Sequence, residues 1–160
     1  MNLPNIAYLR WFRELDRSFR YDLTLSGMPE IALAELGVPT DDHLPHDNLM
    51  WGSSTLQALL APVYGLSEEN VLPVNGTTFG IFLACAAVIE PGDTVLVEEP
   101  AYEPLLGIPR FLGARVTRFR RPVENDFALD FDALRDACGP EVKLVVLGDP
   151  HNPSGIRLDM

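Results

Sequence analysis

Lysine is nearly absent from this sequence. Lys143 is its only example, and the 12 basic side chains are outnumbered by 23 acidic ones, giving a net charge of −11 over 160 residues. A broad positive surface for nucleic acid is therefore disfavoured, and a small molecule or a protein fits better as partner. Cysteine is scarce too. Cys85 and Cys138 lie far apart and match no paired metal spacing, and a thiol inside an apolar run, as at Cys85, points to a reducing cytoplasm. Long hydrophobic runs are missing: the longest, residues 80–89, is too short to span a bilayer, so no membrane partner is expected. The first twenty residues include acidic side chains and no continuous apolar core, unlike a secretory signal. What is present is ordinary for a folding chain, with 47% hydrophobic and 22% charged residues in a length that suits one domain and is marginal for two.

Periodicity supplies the elements. Tyr8, Leu9, Phe12, Leu15 and Phe19 recur at helical steps and predict an amphipathic helix over residues 7–19. Residues 21–29 read as extended, and residues 30–36 as a short helix stopped by Gly37. The polar, proline-broken stretch 38–50 is a loop. It holds His43, His46, Asp41, Asp42 and Asp47, but no helix fixes their spacing, so a solvated acidic loop is the reading and no metal site is expected. From residue 54 onward, helices and strands alternate. Helices are predicted over 54–64, 77–89 and up to Gly113, with a last one capped by Asp130 and ended by Gly139-Pro140. Strands are predicted over 70–74, 94–98, 114–119 and 143–147. This alternation implies an α/β fold, a mostly parallel sheet with helices on both faces. The helix over 77–89, apolar on nearly every side, calls for burial on nearly every side.

In an open parallel sheet, ligands bind beyond the carboxyl ends of the strands. Three predicted strands end in chemically marked loops. Residues 75–80, NGTTFG, form a strand-to-helix turn whose free amides and hydroxyls suit an anion, while ordinary capping by Thr77 or Thr78 stands as the alternative. The spacing is neither that of a P-loop nor of a dinucleotide fingerprint. Residues 98–104, EEPAYEP, present Tyr102, a ring on which a flat heteroaromatic could stack, or a simple filler. Residues 148–155, GDPHNPSG, present Asn152, whose amide both donates and accepts. Together, a phosphate seat, a stacking ring and an amide describe a site for a flat phosphorylated ring.

In their order and separations, NGTTFG, the stretch IEPGDTVLVEEPAYEP over 89–104 and DPHNPSG over 149–155 resemble the class I and II aminotransferases of pyridoxal-phosphate fold type I. The resemblance runs from about Tyr21 to the C-terminus. It implies residues 1–50 as an N-terminal arm with part of a small domain, and 51–160 as a partial cofactor-binding large domain. It implies pyridoxal 5'-phosphate as cofactor, with Gly76, Thr77 and Thr78 on its phosphate, Tyr102 stacked on its ring and Asn152 donating to its phenolic oxygen. Gly27 resembles the segment that approaches the substrate carboxylate. Trp51 stands where many relatives place a tyrosine that reaches the partner subunit's cofactor, a role an indole N–H fits poorly. The family often has a cis peptide at the proline after this asparagine, which implies a cis Asn152–Pro153 bond.

The resemblance also implies amino acid and 2-oxo acid substrates, a homodimer and a lysine that bonds to the cofactor. Lys143 begins a predicted strand, about 15 Å from the loop end, and does not qualify. The lysine is expected beyond Met160, so the sequence reads as the N-terminal portion of an aminotransferase, inactive alone, and poorly soluble through its uncovered apolar faces. Two alternatives stay open: a β-lyase or decarboxylase on the same fold, and a non-catalytic effector-binding module.

Overall fold

A computed structural model describes residues 6–16, 18–21, 30–37 and 53–158. Gly27, Trp51 and the acidic loop with His43 and His46 lie outside these residues. The chain divides into two compact units, Leu15–Pro73 and one formed by Met1–Glu14 with Val74–Met160.

In the first unit, Leu33–Leu36 is a single 3-10 turn ended by Gly37 in the left-handed region, followed by helix α2, Ser54–Tyr64. The Ser53 hydroxyl accepts from Leu56 N–H to cap α2, and Gly65 ends it at φ 65°. The expected strand over 70–74 does not form. Glu68–Asn70 is a 3-10 turn, and the extended residues after it join no ladder. Pro73 has no N–H to offer a neighbouring strand, and the Val71 carbonyl is taken by the Gln57 side chain at 2.9 Å.

The second unit begins with α1, Ala7–Glu14, shorter than its periodicity suggested, and continues with α3, Thr77–Ala86. Three strands follow, β1 (Thr94–Glu99), β2 (Arg115–Arg120) and β3 (Val142–Val146), joined by α4 (Pro104–Phe111) and α5 (Phe131–Ala137). All pair in parallel in the order β2-β1-β3. The chain steps outward from β1 to β2, then crosses back to β3, so right-handed crossovers put α4 and α5 on opposite faces.

Central β1 alternates between two environments. Val95 and Val97, both fully buried, join Cys85, Ile89 and Leu105 in the core beneath α3 and α4, with Leu144 and Val146 packed alongside. Leu96 and Glu98 point to the other face, beside Thr117 and Phe119 of β2. Helix α3 is less covered than its composition demands: Cys85 is its only buried residue, and Phe79 is 48% exposed. An apolar recess of about 250 Å³ opens between α3 and β3, lined by Ile81, Ala84, Cys85, Leu105 and residues 144–147.

Candidate functional site

The carboxyl ends of β1 and β3 and the start of α3 carry the marked loops. At α3, Gly76 takes the position before the first turn at φ 83°, a backbone region that costs other residues strain. No side chain caps this turn. Capping by Thr77 or Thr78 is thereby set aside: the first intrahelical bond runs from Gly80 N–H to the Gly76 carbonyl, and the amides of Thr77, Thr78 and Phe79 have no acceptor among the described residues. Three free N–H groups at the positive end of a helix dipole, beside two exposed hydroxyls, are a donor set suited to a phosphate.

Tyr102 follows β1 by three residues. Its half-buried ring packs against the core cluster, and its hydroxyl lies 3.4 Å from Thr78 Oγ1, so the β1 loop and the α3 turn meet. Asn152 stands exposed in the turn after β3. The peptide before Pro153 is not cis; among the described residues the cis bonds are Glu99–Pro100 and Asp149–Pro150. Residues 152–154 wind as one helical turn, closed by Gly155 N–H donating to the His151 carbonyl at 2.6 Å, and a trans proline with its fixed φ fits that turn. Lys143 is exposed near the start of β3, at the opposite end from Asn152.

Beneath these loops lies a buried polar cluster that pattern reading did not single out. The Glu98 carboxylate, fully buried, accepts from Arg121 Nη1 at 2.7 Å through Oε2 and from Gly148 N–H at 2.8 Å through Oε1. Arg121 also donates through Nε to the Phe127 carbonyl at 2.7 Å. His151, 1% exposed, has Nε2 at 2.9 Å from the Pro100 carbonyl and Nδ1 at 2.6 Å from Ser154 Oγ, with the Phe127 ring 5.8 Å from its own. The available signal was Glu98 itself, a charge in register with Leu96 directly after the apolar run Val95–Val97 of the central strand. Nearby, Glu103 caps α1, its two carboxylate oxygens accepting from Ala7 and Tyr8 N–H at 3.0 Å each.

These parts suit a flat phosphorylated ring: donors for its phosphate at residues 77–79, with the Gly76 N–H itself engaged by the Val74 carbonyl at 3.0 Å, an aromatic face at Tyr102 and an amide at Asn152. Comparison with known proteins points the same way. Capreomycidine synthase of Streptomyces vinaceus is 32% identical over 98% of this chain and 43% of its own length. A probable N-succinyldiaminopimelate aminotransferase of Mycobacterium tuberculosis is 40% identical over 57% of the chain and 23% of its own length. Among solved structures, a PLP-dependent aminotransferase from Streptococcus suis superposes with a TM-score of 0.87 at 27% identity, covering 99% of this chain and 46% of that one. The chain thus spans less than half the length of these relatives. Residues 50–160 match the family model for aminotransferase class I and II, and the chain belongs to that family.

Proposed function

We propose that this chain is the cofactor-phosphate half of a pyridoxal-phosphate-dependent aminotransferase that moves an amino group from an amino acid to a 2-oxo acid. The observation that carries this reading is the uncapped turn at Gly76–Thr78 set against Tyr102, with Thr78 Oγ1 3.4 Å from the tyrosine hydroxyl. The free amides of residues 77–79 and the Thr78 hydroxyl hold the phosphate. Tyr102 covers one face of the ring, excluding water from it, and Asn152 donates to the phenolic oxygen, stabilising its anionic form. When bound, pyridoxal phosphate supplies the electron sink for a carbanion next to the amino group.

Residues 1–160 contribute positioning. Lys143, exposed at the wrong end of β3, is not the amine that attaches the cofactor, and that lysine belongs outside these residues. In the same reading, residues 51–160 form part of the cofactor domain and residues 1–50 an arm with part of a small domain. Gly27 lies near the substrate carboxylate, and the assembly is a cytoplasmic homodimer. No helix among the described residues is long and apolar enough to cross a membrane.

A second reading keeps the cofactor and changes the reaction, since the relative that aligns with 98% of the chain is named a synthase, not an aminotransferase.

Equilibrium dialysis of the chain against pyridoxal 5'-phosphate and against pyridoxal tests the site. Retention of the phosphorylated form alone, weakened about tenfold by Asn152→Ala or Thr78→Ala, is expected for a lost hydrogen bond to a charged group. Equal retention of both forms, or indifference to both substitutions, overturns the reading. With the longer protein, keto-acid production from an amino acid only when a 2-oxo acid is present separates transfer from the second reading.

A further inference from the structure

Two of the loops that carry the site are joined by one side chain. His151 precedes Asn152, yet its Nε2 lies 2.9 Å from the carbonyl of Pro100, two residues before Tyr102. A carbonyl only accepts, so Nε2 carries the hydrogen. On the other side of the ring, Nδ1 lies 2.6 Å from Ser154 Oγ, which also accepts from Ile156 N–H at 3.3 Å and so belongs to the turn that displays Asn152. The ring has almost no freedom. It is 1% exposed, lies against Phe127, and stands 3.9 Å from a Glu98 oxygen already engaged by Arg121.

Glu98 repeats the connection one layer deeper. From β1 it reaches Gly148 N–H at the head of the β3 loop and Arg121 just past β2, so one carboxylate ties all three strand ends together. We infer that His151 is a positioning residue that sets Asn152 and Tyr102 relative to each other, Nε2–H holding the β1 loop and Nδ1 the β3 turn, on the foundation of the buried Glu98–Arg121 pair. The geometric claim stands on these contacts alone; its value for the cofactor rests on the function proposed above.

Two substitutions divide the ring's duties. Glutamine places an N–H close to the position of Nε2 and takes from Ser154 its contact with the ring, leaving only the Ile156 N–H. Asparagine places polar atoms close to Nδ1 and takes from the Pro100 carbonyl its contact with the ring. Amide hydrogen exchange on the intact chain reads both sides: Leu105 N–H, bonded to the Tyr102 carbonyl, reports the β1 loop, and Gly155 and Ile156 report the β3 turn. With His151→Asn, exchange at Leu105 is expected to rise about tenfold or more while Gly155 and Ile156 hold; His151→Gln is expected to give the converse. A side chain that merely fills space would loosen both loops together in either variant, and that result overturns the inference.

Nitrogen-15 NMR of the unsubstituted chain gives a reading that needs no variant to fold. The inference requires a hydrogen fixed on Nε2 of His151, and an Nδ1–H tautomer or rapid averaging between the two sinks it. If the exchange pattern and tautomer hold while pyridoxal phosphate shows no binding, the functional reading falls and the positioning role stands.

Discussion

Glu98 and Arg121 form an ion pair at 2.7 Å in which both side chains are buried. Replacing Glu98 with alanine strands a buried guanidinium whose Nη2 already lacks a partner, and the loss expected in urea unfolding is about 3–5 kcal/mol. Glu98→Gln keeps an acceptor for Gly148 and is expected to cost less. The thiols offer a second test at this scale. Burial raises the pKa of Cys85, favouring the neutral thiol, whereas Cys138 is exposed. At pH 8, alkylation is expected to label Cys138 at once and Cys85 only as the chain opens. The raised native value also fixes a sign: the Cys85 contribution to stability is complete at neutral and acid pH and is lost as the pH rises through that value. Legibility in the sequence divides along similar lines. The placement of Tyr102 and Asn152 in polar loops past β1 and β3, and of Thr78 in the first turn of α3, was legible because each follows an apolar run closed by turn-forming residues. The Glu98–Arg121 pair was not, since charges 23 positions apart meet only through the register that sets Glu98 against Phe119, with Arg121 two residues further along.

Among the described elements, β1 contributes the largest share of the buried hydrophobics, Val95, Leu96 and Val97, so a cut there is felt on both faces of the sheet. Leu96→Ala, at a residue 1% exposed, is expected to cost about 2–5 kcal/mol, while Leu59→Ala on the exposed side of α2 stays within about 0.5 kcal/mol, both measured as shifts in denaturation midpoint. For α5, the Asp130 carboxylate accepts from Asp132 and Ala133 N–H, and Asp130→Ala is expected to remove about 0.5–2 kcal/mol. That cap was legible as an aspartate just before an apolar-periodic run. So were the three strands, to within a residue or two, because alternation between sheet and helix leaves a clear change of period. Residues 70–74 misled because Val71, Leu72 and Val74 have strand composition, while Pro73 and the claim of Gln57 on the Val71 carbonyl remove the pairing groups a strand needs. Helix α3 was expected to be covered on nearly all sides; Phe79 stays half exposed and a recess opens between the helix and β3.

At the scale of the whole molecule, charge and topology set the behaviour. The chain carries −11, and none of the loops 75–80, 100–104 and 148–155 contains a lysine or arginine. A phosphate held there is held by amides, hydroxyls and a helix dipole. Affinity of the chain for pyridoxal phosphate is therefore expected to change less than about twofold, or to tighten, between roughly 50 and 500 mM salt, because screening weakens a repulsion instead of an attraction. A steep fall with salt would place the phosphate among the arginines instead. The capping of α1 by Glu103 has a consequence in time. Eight residues make too short a helix to persist in water alone, and the carboxylate that completes its first turn is translated 96 positions after Ala7. At about 5–20 residues per second, that interval lasts roughly 5–20 s, during which the opening segment has no cap to receive it. Helix α1 is thus secured only after β1 has been made, and a nascent polypeptide stalled before residue 103 leaves residues 7–14 without their cap.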